Sequence, residues 1–173
     1  KYVSFDTQSD EDNDAVCPST PGQLVFAKAL AEELKAIGLS DVTLDEHGYI
    51  MATLRQRQKA GRRLHSHVDT SPDASGKDIK PVRVTDYDGK DVVLNEAQGI
   101  VFSTKAFPEV LKYKGQDILF TDGTTLLGAD DKAGISIVSA VEYLIQHPDI
   151  AHGTIRIASR LMKKRGASAA LFD

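Results

Sequence analysis

The chain has 173 residues, 41% of them hydrophobic and 27% charged, enough for an ordinary globular core. The net charge of −4, with basic residues scattered until the last stretch, offers no nucleic-acid surface, and no apolar run reaches the ~20 residues of a membrane span. The single cysteine, Cys17, excludes an intramolecular disulfide framework and suits a reducing compartment; with no secretory leader pattern, the expected address is the cytoplasm.

Lys1 to Asp6 reads as the middle of an element, so the sequence is expected to be a segment of something longer. Residues 6 to 18 are polar and acidic. Asp10, Glu11, Asp12 and Asp14 lack the alternating spacing and central glycine of a calcium loop, and a solvated loop is expected. Ser19-Thr20-Pro21 predicts a helix start, with a hydroxyl cap and proline in the first turn. Leu24, Ala27, Leu30, Ala31, Leu34 and Ile37 form its buried stripe, and Gly38 ends it. Val42–Leu44 and Tyr49–Leu54 read as strands around a turn at His47-Gly48, with Cys17 and His47 as loop residues. Residues 55 to 63 form a basic connection. Val82–Val84 and Asp91–Leu94 are short strands, Phe107–Leu111 a helical turn ending by Gly115, and Asp117–Thr121 a buried strand. A helix from Asp131 to Gln146 buries Ile135, Val138, Val141, Leu144 and Ile145, Pro148 stops it, and Thr154–Ala158 is the next strand. This order predicts a layered α/β domain with a central, mostly parallel sheet flanked by helices, and requires no domain boundary.

Two features carry chemistry. In Leu126–Gly134, LLGADDKAG, Asp130 and Asp131 stand between an apolar run and a helix start, where unpaired amides and the helix dipole favour acids. Upstream, His67-Val68-Asp69 closes a predicted strand, and a histidine and a carboxylate two apart on a strand point to the same side. One can hold a metal while the other fixes the ring. The other candidates have plainer roles: Asp73 caps a turn, His147 and His152 sit at a helix end, and Lys132 faces solvent. Gly-x-Ser-x-Gly does not occur, which argues against a serine hydrolase.

HVDTSPD (His67 to Asp73) and TDGTTLLGADDKAG (Thr121 to Gly134) resemble the two metal-site motifs of the co-catalytic zinc exopeptidases, most closely the peptidase T (aminotripeptidase) branch. Tyr2–Ser9 and the Phe107-Pro108 spacer match that branch too. The resemblance implies that His67 ligates one zinc and that Asp130 bridges a pair of zinc ions. It implies that Asp69 is the catalytic-site carboxylate holding the imidazole, and that the Asp130–Asp131 bond is cis. It implies an incomplete zinc exopeptidase fold, residues 1–173 forming the N-terminal part of the catalytic domain, without the lid domain and C-terminal half. The substrate would be a small peptide, with no nucleic-acid or membrane partner and a homodimer as candidate assembly.

The sequence also departs from that pattern. After Gly153–Ala158 the family continues Thr-Pro-Asp-Glu-Glu, supplying the general base and a further ligand. Here Ser159-Arg160-Leu161-Met162-Lys163-Lys164 follows, with lysines in place of the glutamates. Codons for Phe-Thr-Pro-Asp-Glu-Glu read one base later can give Ser-Arg-Leu-Met-Lys-Lys. A two-base shift of an apolar Ile-Gly-Phe-Ile strand likewise gives Arg63-Leu64-His65. Local reading-frame slips over 62–65 and 159–168 are therefore one reading. The other is that these residues are genuine, with Arg62, Arg63 and His65 disfiguring a central strand and lysines opposing a dication. The chain alone is expected to be inactive, since two direct ligands do not make a catalytic dizinc site. A degenerate, non-catalytic relative acting as a folded or binding module is the alternative, and a carboxypeptidase or deacylase of the same clan a weaker third.

Overall fold

The computed structural model describes residues 1–13, 16–55 and 61–160. Within them the chain forms two compact units, one from Lys1–Pro72 with the stretch from Gly128 onward, the other from Asp73–Leu127.

In the first unit a 3₁₀ turn, Tyr2–Ser4, precedes helix α1, Pro21–Ala36. Proline opens α1, and Gly38, at φ +96°, takes the left-handed position that ends it. The predicted hydroxyl cap is not made. Thr20 Oγ1 instead donates to Gln8 O at 2.8 Å, and Ser19 Oγ accepts the Asp10 amide at 3.0 Å, so both hydroxyls tie down the acidic loop. The buried stripe is Gln23, Phe26, Ala27, Leu30, Ala31 and Leu34, rotated slightly from the expected one because Phe26 packs on Phe5, with ring centroids 4.9 Å apart.

Strands β1 (Ser40–Leu44) and β2 (Ile50–Leu54) form the expected antiparallel pair. Asp45 Oδ1 accepts the amides of His47 and Tyr49 in the turn between them. Strand β3 is Gly61–His67 and strand β8, counting the four strands of the second unit, is Thr154–Arg160. The sheet order is β1-β2-β8-β3, with β3 parallel to β8 and the other pairs antiparallel. The α/β layering is as the sequence predicts, and the sheet is mixed. Helices α2 (Ala129–Ile135) and α3 (Ile137–Gln146) join α1 in covering the face that carries Ile50, Ala52 and Ile157. Leu30, Leu34, Ile135, Val138 and Val141 complete this core, where truncating one leucine to alanine costs ~2–5 kcal/mol.

Three expectations are corrected. The basic connection ends earlier than position 63, because Gly61–Arg63 already pair with Thr154–Arg156. Among the described residues β3 pairs with β8 alone, and Arg62, Arg63 and His65 are exposed on it, so there they do not interrupt the sheet. The single helix from Asp131 is broken at Ser136, whose hydroxyl donates back to Ala133 O at 2.5 Å, a bond that competes with the helical ladder. The departure over 161–168 lies outside the described residues.

The second unit contains β4 (Pro81–Val84) paired with β7 (Ile118–Thr121), and β5 (Val92–Asn95) paired with β6 (Ile100–Phe102), a strand the sequence pattern did not predict. A 3₁₀ helix, Pro108–Tyr113, stands where the helical turn was expected. Tyr87, 1% exposed, anchors this unit and donates its hydroxyl to Lys90 O at 2.8 Å. Strand β7 is not fully buried: as part of a two-stranded ribbon it leaves one face open, and Leu119 is 58% exposed. Asp73 lies in a turn, as expected.

Candidate metal centre

The end of β3 and the start of α2 meet in one place. His67 Nε2 lies 3.1 Å from Asp130 Oδ1, although sixty-three positions separate them in the chain. Ser66 Oγ donates to Asp131 O at 3.0 Å, fastening the strand end to the helix start. The Asp130–Asp131 peptide bond is cis, as the resemblance implies. Neither aspartate has helical dihedrals, so the regular helix begins only after Asp131. The two carboxylates are directed differently. Asp130 has a side chain 94% exposed and open to ligands, while Asp131 Oδ1 accepts the Gly134 amide at 3.1 Å and caps the helix.

Asp69 stands on the other side of the imidazole. His67 Nδ1 is 3.2 Å from Asp69 O and 3.4 Å from Asp69 Oδ1. A carbonyl oxygen only accepts, so Nδ1 carries the proton and Nε2 is the nitrogen turned to Asp130. The hydrogen bond that His67 donates to the Asp69 carboxylate, against the opposing effect of burial, pushes the His67 pKa up to about 9, and the charges of Asp69 and Asp130 add to it.

The donor chemistry fits part of a zinc site. Two donors at bond lengths of about 2.0–2.1 Å around a tetrahedral zinc lie roughly 3.3–3.4 Å apart, close to the His67–Asp130 separation. An imidazole whose second nitrogen is held by a carboxylate is the usual arrangement around such a ligand. The set is nevertheless incomplete, because no three histidine, cysteine or acidic side chains converge on a metal position among the described residues.

Lys132 corrects another expectation. It is 3% exposed, not solvent-facing, and its Nζ donates to Phe5 O at 2.7 Å while lying 5.8 Å from the Phe26 ring centroid. The first turn of α2 points this side chain at α1 and the amino-terminal segment. Burial pulls its pKa down to about 8, opposed by the charge of Asp6. Sequence reasoning assigned no role to Thr7, Ser9 or Ser66, although Thr7 Oγ1 donates to Val68 O at 2.7 Å and Ser9 Oγ to Asp69 Oδ2 at 3.2 Å. The only signal for the first two was the likeness of Tyr2–Ser9 to the family. His147, by contrast, behaves as expected at its helix end, with Nδ1 2.8 Å from Tyr143 O.

No family model matches the chain. It is 54% identical over 176 residues to peptidase T of Clostridium botulinum (strain Loch Maree / Type A3), covering 99% of this chain and 43% of that protein. Peptidase T of a Geobacillus species is 52% identical over 177 residues, again with 43% of its length matched. The chain is a homologue of peptidase T. It spans less than half the length of these curated relatives. Among solved structures, aminopeptidase PepT from Bacillus cereus superposes with a TM-score of 0.55 at 24% identity, over 91% of this chain and 33% of that one. A tripeptidase from Staphylococcus aureus gives 0.54 at 24% identity, with the same coverage. These superpositions show a shared fold. No helix among the described residues is long and apolar enough to cross a membrane.

Proposed function

We propose that this chain carries half of the metal centre of a zinc-dependent aminopeptidase that releases the N-terminal residue of tripeptides. The observation that supports the reading is the approach of His67 Nε2 to Asp130 Oδ1, with Asp69 behind the ring. His67 would ligate one zinc through Nε2, and Asp130 would bridge two. Asp69 would hold the Nδ1 proton so that the Nε2 lone pair faces the cation. Zinc bound there would polarise a peptide carbonyl and acidify its water. The exposed Asp130 carboxylate leaves room for a second ion and a substrate. The group that takes the water's proton is not among these residues, so the chain alone would be inactive. The same reading takes a small peptide as substrate in the cytoplasm and a homodimer as the assembly.

A chimaera tests it. Residues 1–158 of this chain would replace the matching part of a peptidase T relative, which keeps its own remaining ligands and general base. The chimaera is expected to hold two zinc ions and to cleave Ala-Ala-Ala in preference to dipeptides and N-acyl amino acids. A folded chimaera without zinc would overturn the proposal. That outcome would favour the alternative of a non-catalytic folded or binding module.

A further inference from the structure

The amino-terminal segment Phe5–Ser9 is fastened both to the helix start that carries Asp130 and to the strand end that carries His67 and Asp69. At one end Phe5 O accepts from buried Lys132, two positions beyond Asp130. In the middle Thr7, fully buried, donates its hydroxyl to Val68 O at 2.7 Å and accepts the Thr70 amide at 3.1 Å. At the far end the Ser9 amide donates to Thr70 O at 3.1 Å, and Gln8 pairs with Thr70 as a parallel bridge. The segment therefore grips the residues on either side of Asp69, Val68 through the Thr7 hydroxyl and Thr70 through its backbone. One side chain on it then reaches the carboxylate itself: Ser9 Oγ lies 3.2 Å from Asp69 Oδ2 and 3.4 Å from Thr70 O. A hydroxyl has a single proton, and the nearer, charged acceptor takes it in preference to the carbonyl.

We propose that Ser9 is a positioning residue for the metal centre, fixing the rotation of the Asp69 carboxylate so that Oδ1 is presented to His67 Nδ1. The proposal rests on the reading of His67 and Asp130 as zinc ligands. A carboxylate is free to turn about its last bond, and one oxygen engaged by Ser9 leaves the other aimed at the ring. With the Asp69 carbonyl 3.2 Å from Nδ1 as well, His67 is thereby held with Nε2 toward Asp130. The polar chain runs Ser9 Oγ, Asp69 Oδ2, Asp69 Oδ1, His67 Nδ1, His67 Nε2, Asp130 Oδ1. Removing a direct partner of a ligating histidine costs 10–100-fold in metal affinity, so a residue one bond further out is expected to cost about tenfold or somewhat less.

The test uses the whole 173-residue chain, with two readouts. The first is the downfield proton resonance of His67 Nδ1–H in the metal-free protein, and the second is the affinity for zinc in competition with a chelator. Ser9→Ala keeps the backbone bonds to Thr70. It is expected to broaden the resonance or shift it upfield and to weaken zinc binding about tenfold. Ser9→Thr, which restores the hydroxyl, is expected to recover both. Asp69→Asn, which alters the direct partner, should change both more strongly and calibrates the measurement. A Ser9→Ala chain that melts earlier yet keeps the resonance and the affinity within twofold of the parent would overturn the proposal, leaving Ser9 a structural residue only. If the parent chain binds no zinc, the ligand assignment fails, and the resonance by itself still decides whether Ser9 orients the pair. Should Ser9→Ala not fold, Ser9→Cys supplies a weak donor of similar shape, and an unchanged resonance there overturns the proposal equally.

Discussion

The Asp131 carboxylate occupies the space where Gly134 would carry a side chain. A methyl group on Gly134 would lie 2.5 Å from Asp131 Oδ1, the oxygen that accepts the Gly134 amide. Gly134→Ala therefore forces the carboxylate off the helix start. Loss of such a cap costs about 0.5–2 kcal/mol, and the displaced backbone carries Asp130 with it. The expected result is a lower melting temperature together with weaker zinc binding, whereas the same substitution at exposed Gly99, which has no neighbour to displace, should leave zinc binding unchanged. Calorimetry and a zinc titration on both variants check it.

His67 should titrate well above an ordinary histidine in the metal-free protein, near pH 9, because Asp69 stabilises its charged form. The sign follows from linkage. The folded-state value exceeds the unfolded one, so the contribution to stability is fully present below about pH 6.5 and is lost as pH rises through about 9. Asp69→Asn is expected to bring the His67 titration, followed by NMR, back toward the ordinary value and to flatten this part of the stability profile.

Helices α1 and α3 and the β1–β2 pair were legible in the sequence because each announces itself locally: proline and glycine punctuate α1, and apolar spacing marks α3, although not the break at Ser136. The convergence of His67 on Asp130 was legible only through the motifs, since nothing local links a strand end to a distant helix start. Lys132 shows the limit most clearly. Beside two aspartates in a first helical turn it reads as a solvent-facing charge, and only the fold reveals that Phe5 O and the Phe26 ring receive it. Strand β6 escaped for a related reason, three residues being too few to show a period.

That buried lysine gives a prediction of opposite sign to the histidine. Its pKa is depressed from 10.5 to about 8 by burial. The stability it contributes is complete above about pH 10.5 and declines as pH falls through about 8, where the ammonium must be carried inside. Compared with Lys132→Met, the parent chain should gain relative stability as pH is raised from about 7 to 10. Chemical denaturation of the two proteins across that range measures it. A pH-independent difference would show that the hydrogen bond to Phe5 O compensates the ammonium fully.

Strand β3, which among the described residues pairs with β8 alone, supplies the last prediction, and it bears on whether residues 62–65 are genuine. In the parallel register Arg63 faces Arg156 and His67 faces Arg160, so like charges stand on adjacent strands. Like charges at facing positions are destabilising by roughly 0.2–1 kcal/mol, and an apolar β-branched residue at a strand position carries no such cost. Arg63→Ile is therefore expected to raise the melting temperature modestly and to weaken its salt dependence. Peptide mass spectrometry across 62–65 and 159–168, with resequencing of the gene, tests whether the two stretches are errors in the written sequence. Slips confined to the written sequence leave apolar residues in the first stretch and Thr-Pro-Asp-Glu-Glu in the second; a recovered Lys163-Lys164 peptide would sink that version and make the lysines real, whether or not the slip lies in the gene. In that case they would follow β8, the strand parallel to β3, and zinc affinity in the whole chain should rise when both are replaced by glutamate.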